Sequence, residues 1–250
     1  MAVQAEPGPF SGLDPAVKEL EFKVTVLARE VRKVEAELKR LRVFPVRRRV
    51  YFYDTLGLDL AKQKLFLRGR VTEDDDDDST VKLRPVPDDG VPANWHATGG
   101  FEHEADVVGS RLAPSLKLEH KPDPGRVAQV ASGDLDLSKL FNDEQEAIIE
   151  AALPAGTKLD DLKVLGPVDA RKWVLPADVL PPFKLSVEEW SRPDANRFLE
   201  LSFKAQRVNG ERAQQAFHAL LDRLVIGHEG NKDPKTLLVL QVFAEWLRAA

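Results

Sequence analysis

KELEFKV, at residues 18–24, alternates charged and apolar side chains, as expected for a β-strand with two unlike faces. Glu19, Glu21 and Lys23 share one face, whereas Leu20 and its apolar neighbours occupy the other. Because the charged face and the apolar face need different surroundings, this stretch predicts a strand that separates a polar space from a hydrophobic core.

Five further segments show the same alternation. A sheet with one face in water would explain any single strand of this kind. Across six strands, however, carboxylates and cations are segregated by strand, which is not expected of interchangeable surface residues. If the charged faces point inward, the strands close into a barrel whose cavity is lined by both signs. The charges in question are Glu19, Glu21 and Lys23, Arg68 and Arg70 in LFLRGR, Lys82 and Arg84 in TVKLRP, Glu102 and Glu104 in FEHEA, Glu188 in KLSVEEW, and Glu200 in FLELSFK.

A cavity of this kind has a clear chemical use. Burying charges costs hydration free energy, so a charged lining is expected only where a charged ligand fills it. Carboxylates bind hard divalent cations such as Mg²⁺ or Mn²⁺. Arginine and lysine bind phosphate oxygens, arginine often through two parallel hydrogen bonds. A polyphosphate chain accompanied by a divalent metal ion requires both sets of side chains on facing walls.

Composition excludes several other classes of protein. The 250 residues carry 36 Lys and Arg against 41 Asp and Glu, a net charge of −5, which argues against general nucleic-acid binding. No apolar run approaches the roughly 18 residues of a membrane span. The absence of cysteine excludes disulfides, thiol catalysis and Cys-ligated metals. The first ten residues show no secretion signal, and we expect a cytoplasmic protein without a membrane partner.

The rest of the chain predicts an α+β protein in one domain, residues 15–250, after a flexible lead-in at residues 1–14. The acidic run at 73–78 is typical of a solvated hairpin loop, with a calcium site as the alternative. Residues 116–121 are ambiguous, and the strand count is seven or eight. Strands are expected at 18–26, 50–55, 64–70, 80–85, 101–108, 169–175, 182–191 and 197–206, and helices at 27–42, 142–153, 211–226 and 234–248.

The order of these segments resembles the CYTH superfamily, also called triphosphate tunnel metalloenzymes. ELEFK matches the ExExK signature that opens the family, and VYFYDT at 50–55 is similar to its tyrosine-rich strand. LFLRGR, TVKLRP and FEHEA follow in the family's order. Arg171 falls where a basic strand is expected, and EEW and FLELSFK resemble the final acidic strands. The resemblance covers residues 18 to about 206, and Lys235 is similar to the basic residue of a closing helix.

The resemblance implies a closed antiparallel eight-stranded β-barrel, or tunnel, with peripheral helices. It implies a hydrolase that acts on a triphosphate-containing small molecule with Mg²⁺ or Mn²⁺, with Glu19, Glu21 and Lys23 at the catalytic centre. Substrate phosphates would be bound by Lys23, Arg68, Arg70, Lys82, Arg84, Arg171 and Lys235. Metal would be held by Glu19, Glu21, Glu102, Glu104, Glu188 and Glu200.

One position departs from the family pattern. The last acidic strand commonly carries two carboxylates, but here Ser202 stands where the second is expected. A serine does not supply the charge of a carboxylate, so either the second cation is bound weakly or Glu188, Glu189 or Glu104 compensates. Two alternatives therefore accompany triphosphate hydrolysis: an adenylyl cyclase of the same family, and a polyphosphate or nucleotide binder without catalysis. The oligomeric state is left open.

Overall fold

The computed structural model describes residues 8–191, 197–229 and 235–249, and its centre is a closed β-barrel. Around the barrel the strands follow the order β1-β5-β6-β4-β3-β2-β7-β8-β9, and β9 pairs with β1 to close the ring. The nine strands are β1 (Glu19–Val26), β2 (Val46–Asp54), β3 (Leu65–Thr72), β4 (Asp78–Leu83), β5 (Glu102–Val108), β6 (Arg111–His120), β7 (Lys163–Val174), β8 (Ser186–Ser191) and β9 (Arg197–Gln206).

The barrel has nine strands and is mixed, so the expectation of eight antiparallel strands is wrong on both counts. Strands that alternate in direction around a closed ring must be even in number. A ninth strand therefore forces one parallel pair, and this pair is β1 with β5. The additional strand is β6, whose second half covers residues 116–120 of the ambiguous stretch. Pro122, Pro124 and Gly125, just beyond this stretch, interrupt the strand pattern in the sequence.

Helices cover the outer, apolar face of the barrel in two groups. α1 (Val31–Leu41) and α6 (Gly210–Leu224) pack on β1, β8 and β9 through residues such as Val34 and Phe217. On the opposite side, α4 (Arg126–Ser132) and α5 (Asp143–Ala152) cover β2, β3, β4 and β6. Gly69 permits this approach, because a Cβ there would lie 2.8 Å from Tyr53 Oη and 3.1 Å from a Val127 methyl group. Helix α4 was not predicted from the sequence.

The last helix, α7 (Lys235–Ala249), lies differently. Its apolar residues Val239, Leu240 and Phe243 pack against Trp190 and Ala170. Trp190 shares a face of β8 with Glu188, and Ala170 shares a face of β7 with Lys172, so these partners belong to the inward face. The helix α7 therefore fills one end of the barrel interior. The remaining helices are two short turns, α2 (Asp59–Lys62) and α3 (Ala93–His96), and none of the described helices is long and apolar enough to cross a membrane.

Parts of the lead-in and of the acidic run pack against the barrel. Phe10, in the lead-in, is buried and its ring meets that of Phe22 edge to face at 6.0 Å, while Arg207 donates hydrogen bonds to the carbonyls of Phe10 and Leu13. The acidic run also divides. Its first residues form an exposed turn, whereas Asp78 is buried at the start of β4, on the inward face.

Candidate functional site

The inward faces of the strands enclose a charged cavity of about 620 Å³. Among the described residues that line it, ten are cationic and four are acidic; with Asp78 and Glu104, whose carboxylates contact Arg68, Arg70 and Lys82, the excess is 10 − 6 = 4 positive charges. The whole chain has a net charge of −5. The positive charge is therefore concentrated in the interior, and this arrangement favours an anionic ligand. The cationic side chains are Lys23, Arg48, Lys64, Arg68, Arg70, Lys82, Arg84, Arg111, Lys172 and Lys235, and the acidic ones are Glu21, Asp106, Glu188 and Glu200.

Neighbouring arginines on β3 share one carboxylate. Arg68 Nη2 lies 2.9 Å from Asp78 Oδ1, and Arg70 Nε lies 2.5 Å from Asp78 Oδ2. Arg68 also donates to Thr80 Oγ1 at 2.9 Å. Burial alone would raise the pKa of Asp78, but the two guanidinium groups outweigh it and lower the pKa. Asp78 thus holds the guanidinium groups of Arg68 and Arg70 side by side, with their hydrogen-bond donors directed at its carboxylate.

Asp106 is the buried acidic centre of the opposite wall. Its Oδ1 lies 3.0 Å from Lys23 Nζ and 3.8 Å from Lys82 Nζ, and its Oδ2 accepts a hydrogen bond from Arg84. Burial opposes ionisation, but Lys23, Lys82 and Arg84 hold the pKa of Asp106 well below its usual range. Burial alone would lower the pKa of Lys23, yet Asp106 and Glu21 raise it far above its ordinary value. Lys23 and Asp106 are consequently ionised at neutral pH.

Glu104 and Glu19 lie further along the same wall. Glu104 contacts Lys82 at 2.8 Å and Lys204 at 2.9 Å, and Lys204 also contacts Glu19 at 2.5 Å. Burial would raise the pKa of Glu104, but Lys82 and Lys204 outweigh it and hold the pKa at about 2. Glu104 is directly opposite Glu19 across the parallel β1–β5 pair, which explains why these two predicted metal ligands meet.

Within the part of the chain that the structure describes, two sets of carboxylates are close enough to hold a divalent cation. In each of the sets Glu19, Glu102, Glu104 and Glu21, Glu104, Asp106, one oxygen per residue lies within 4.8 Å of the others. Three convergent carboxylate oxygens suit a hard cation such as Mg²⁺, with water completing its coordination. The predicted ligands Glu19, Glu21, Glu102 and Glu104 are thus brought together, and Asp106 joins them.

Glu188 and Glu200, also predicted metal ligands, form a separate group. They face each other across β8 and β9, and the Lys235 ammonium group lies 3.1 Å from Glu188 and 2.7 Å from Glu200. Arg48 contacts Glu188 at 3.2 Å. Burial opposes the charge of Lys235, but Glu200 and Glu188 raise its pKa. A lysine, rather than two further carboxylates, therefore accompanies this pair.

Arg171 does not line the cavity, contrary to the expectation. Side chains alternate along β7, so Lys172 points inward and Arg171 points outward. Arg171 lies in an outer cleft with Arg47 and Arg49, where its guanidinium group is 2.5 Å from Glu189. Glu189 is therefore outside the tunnel and cannot compensate for Ser202, which lines the cavity opposite Lys23. The inward basic residue of β7 is Lys172.

Sequence reasoning assigned no place in the site to seven of its charged residues, two of which, Lys64 and Arg111, lie at the edge of the cavity. Asp106 continues the inward alternation of Glu102 and Glu104, so extending the strand by one step would have found it. Lys204 similarly follows Glu200 and Ser202. Asp78 was hidden in the acidic run, and the inward faces of Arg48 and Lys172 required the register of β2 and β7, which the sequence pattern did not define.

Structural comparisons find the same fold in solved proteins. HpAC1 from Hippeastrum, which carries the adenylyl cyclase name and has a dominant triphosphatase activity, matches with a TM-score of 0.64 at 14% identity, over 89% of this chain and 95% of its own. An adenylate cyclase candidate from Bacillus halodurans matches with a TM-score of 0.59 at 15% identity, over 89% of this chain and 97% of its own. No family model and no curated protein matches the chain. The chain therefore shares the closed-barrel fold of these two solved proteins.

Proposed function

We propose that the chain is a metal-dependent hydrolase that binds a triphosphate inside the tunnel. The observation that carries the proposal is the concentration of positive charge in the cavity of an acidic protein. A triphosphate carries several negative charges in a row. The cationic residues of β1, β3 and β4 likewise form a row of positive charges along the cavity wall. The dominant triphosphatase activity of HpAC1, a protein of the same fold, supports this choice of ligand.

Phosphate binding falls to Lys23, Arg68, Arg70, Lys82 and Arg84. Their carboxylate partners hold these side chains in place in the free protein, so their donors are already oriented towards the cavity when a triphosphate enters. Arg68 and Arg70 offer guanidinium groups from adjacent inward positions of one strand, which suits neighbouring phosphoryl oxygens. Lys235 lines the far side of the cavity, where its ammonium group contacts Glu188 and Glu200.

Mg²⁺ or Mn²⁺ fits the carboxylates of β1 and β5, with Glu21, Glu104 and Asp106 or Glu19, Glu102 and Glu104 as its ligands. When bound, the cation supplies charge neutralisation for the phosphoryl oxygens and an acidified water. In the hydrolysis, the oxygen of a water molecule bonds to the terminal phosphorus, and the bond from that phosphorus to the bridging oxygen breaks. The shortened phosphate chain leaves, and a proton of the water passes to solvent. Lys23, between Glu21 and Asp106, is placed to orient the phosphate or the attacking water.

Binding without catalysis is the second candidate function. Two observations favour it: Ser202 replaces a carboxylate, and Lys235 occupies the space between Glu188 and Glu200. Both reduce the negative charge available to a second cation. A cyclase would use the same cavity for ATP but release cyclic AMP.

Product analysis on the full chain distinguishes these functions. Tripolyphosphate, thiamine triphosphate and ATP are each incubated with the protein and Mg²⁺ or Mn²⁺, and phosphate and cyclic AMP are measured. We expect phosphate release, and we expect Arg70→Ala to lower kcat/KM by about 100-fold because a donor to the phosphoryl oxygens is lost. Arg47→Ala, on the outer face, is the matched control. Binding without product would support the second function, and neither binding nor product would refute both.

A further inference from the structure

Lys204, on β9, bridges two of the carboxylates that could hold a metal ion. Its Nζ atom lies 2.5 Å from Glu19 Oε1 and 2.9 Å from Glu104 Oε2. Lys204 is directly opposite Glu21 in the β1–β9 pair, so its side chain projects from the same inward face of the sheet. The fold therefore places an ammonium group where the carboxylates of Glu19 and Glu104 converge.

The first carboxylate set has no net charge once the lysines in contact with it are counted. It consists of Glu19, Glu102 and Glu104. Lys117 Nζ lies 3.0 Å from Glu102 Oε2, and Lys82 Nζ lies 2.8 Å from Glu104 Oε1. With Lys204, three carboxylates meet three ammonium groups. Because the charge of the ligands largely determines how tightly a site binds a divalent cation, this set attracts one only weakly.

Lys204 lies outside the lining of the tunnel cavity, as does its partner Glu19. An anion in the cavity therefore does not compete with Glu19 for the ammonium group. A free ion loses translational freedom when it binds, whereas a lysine on a strand of the same barrel has lost that freedom on folding. The pairing of Lys204 with Glu19 is therefore maintained whether the cavity is filled or empty.

The second carboxylate set differs from the first because the lysine at its centre faces the cavity. The set consists of Glu21, Glu104 and Asp106. Lys23 Nζ lies 3.0 Å from Glu21 and 3.0 Å from Asp106, and all three residues line the cavity. A triphosphate in the cavity gives Lys23 another anion to contact, and this frees carboxylate oxygens of the second set for a metal ion.

We propose that Lys204 takes the place of a divalent cation in the first carboxylate set, and that metal binding at this wall is confined to the second. The inward face of β9 presents Glu200, Ser202 and Lys204 in succession. A serine and an ammonium group thus follow the one carboxylate of this strand, and neither attracts a second cation. The inference deepens the proposed function and rests on it for the metal that accompanies the triphosphate.

Electron paramagnetic resonance of Mn²⁺ titrated into the full chain, without triphosphate, tests this role of Lys204. Lys204→Gln removes the ammonium group, and we expect about tenfold tighter Mn²⁺ binding because Glu19 and Glu104 are released. Lys204→Arg keeps the positive charge and should bind Mn²⁺ within about twofold of the wild-type protein. Lys121→Gln, which removes a lysine 2.9 Å from the exposed Asp76, is the matched control for net charge. Adding Glu19→Gln to Lys204→Gln should cancel the gain, because the ion then lacks a ligand of the first carboxylate set.

The inference is overturned if Lys204→Gln binds Mn²⁺ no more tightly than the wild-type protein, if Lys204→Arg shows the same gain, or if the gain survives Glu19→Gln. Glu102→Gln changes an exposed residue that belongs to the first carboxylate set alone. Should Lys204→Gln not fold, an unchanged Mn²⁺ affinity in Glu102→Gln supports the inference and a weaker one overturns it. Because the probe is Mn²⁺ alone, these results do not depend on triphosphate binding, and the tripolyphosphate assays decide the proposed function separately.

Discussion

Asp78 competes with any anion for the two arginines of β3. Its two oxygens lie 2.9 Å from Arg68 and 2.5 Å from Arg70, which is the arrangement a phosphate oxygen pair would adopt. The carboxylate therefore holds the arginines in place in the free protein and must be displaced, or shared, when a triphosphate binds. Stability and ligand affinity are opposed at this residue.

Asp78→Asn should change both properties in opposite directions. Loss of the buried charge leaves Arg68 and Arg70 without their partner, so we expect the free energy of unfolding to fall by about 1–3 kcal/mol. Tripolyphosphate should bind about tenfold more tightly, since it no longer competes with a carboxylate. Chemical denaturation and calorimetry measure the two effects. Asp76→Asn, in the exposed part of the same loop, is the control, and weaker binding by Asp78→Asn would contradict the competition.

The lowered pKa of Asp78 also predicts a pH dependence of stability. A carboxyl group whose pKa is lowered on folding stabilises the protein above its unfolded pKa of about 3.9, and this contribution is lost as the pH falls through the folded value. Wild-type protein should therefore lose stability more steeply than Asp78→Asn below about pH 4. If the curves of unfolding free energy against pH are parallel for the two proteins, folding does not lower the pKa of Asp78.

At the scale of the elements, α7 determines which parts of the barrel interior are available. It fills one end with Val239, Leu240 and Phe243, and its first residue, Lys235, reaches Glu188 and Glu200. Lys235 also lies 4.3 Å from the centre of the Trp190 ring. The helix thus belongs to the hydrophobic core and to the charged cavity together.

Phe243→Ala should loosen this end of the barrel. Phe243 is almost fully buried, so its truncation leaves a cavity, and we expect a loss of about 3–5 kcal/mol in the free energy of unfolding. Trp246→Ala, on the exposed side of the same helix, should cost less than about 1 kcal/mol. Thermal or denaturant unfolding gives both values, and equal losses would show that α7 does not pack as described.

The elements also show what the sequence could and could not predict. Charged and apolar side chains alternate strictly in β1, β3, β4 and β9. This alternation was enough to predict the strands and their inward charges, because assigning the faces one residue out of step would place every charged side chain in the hydrophobic core. Arg171 was misplaced because the alternation in β7 is interrupted by small and apolar residues on both faces. Long-range pairing, such as Glu19 beside Glu104 or Arg48 beside Glu188, depends on strand order, which local patterns do not contain.

At the scale of the whole molecule, one closed barrel separates the charges of the interior from those of the surface. Three consecutive arginines on β2 provide a direct test, because neighbouring residues of a strand point to opposite faces. Arg48 lines the tunnel, where it contacts Glu188 at 3.2 Å, and also borders the outer cleft, whereas Arg49 lines the outer cleft and not the tunnel. The two residues have the same chemistry and adjacent positions.

Calorimetric titration of tripolyphosphate into Arg48→Ala and Arg49→Ala, in the presence of Mg²⁺, measures this sorting. We predict that Arg48→Ala weakens binding by about tenfold or more, the effect of losing a charged hydrogen-bond donor. Arg49→Ala should bind within twofold of the wild-type protein. Equal losses in the two variants, or a greater loss in Arg49→Ala, would contradict the account, because the anion would then be bound outside the barrel.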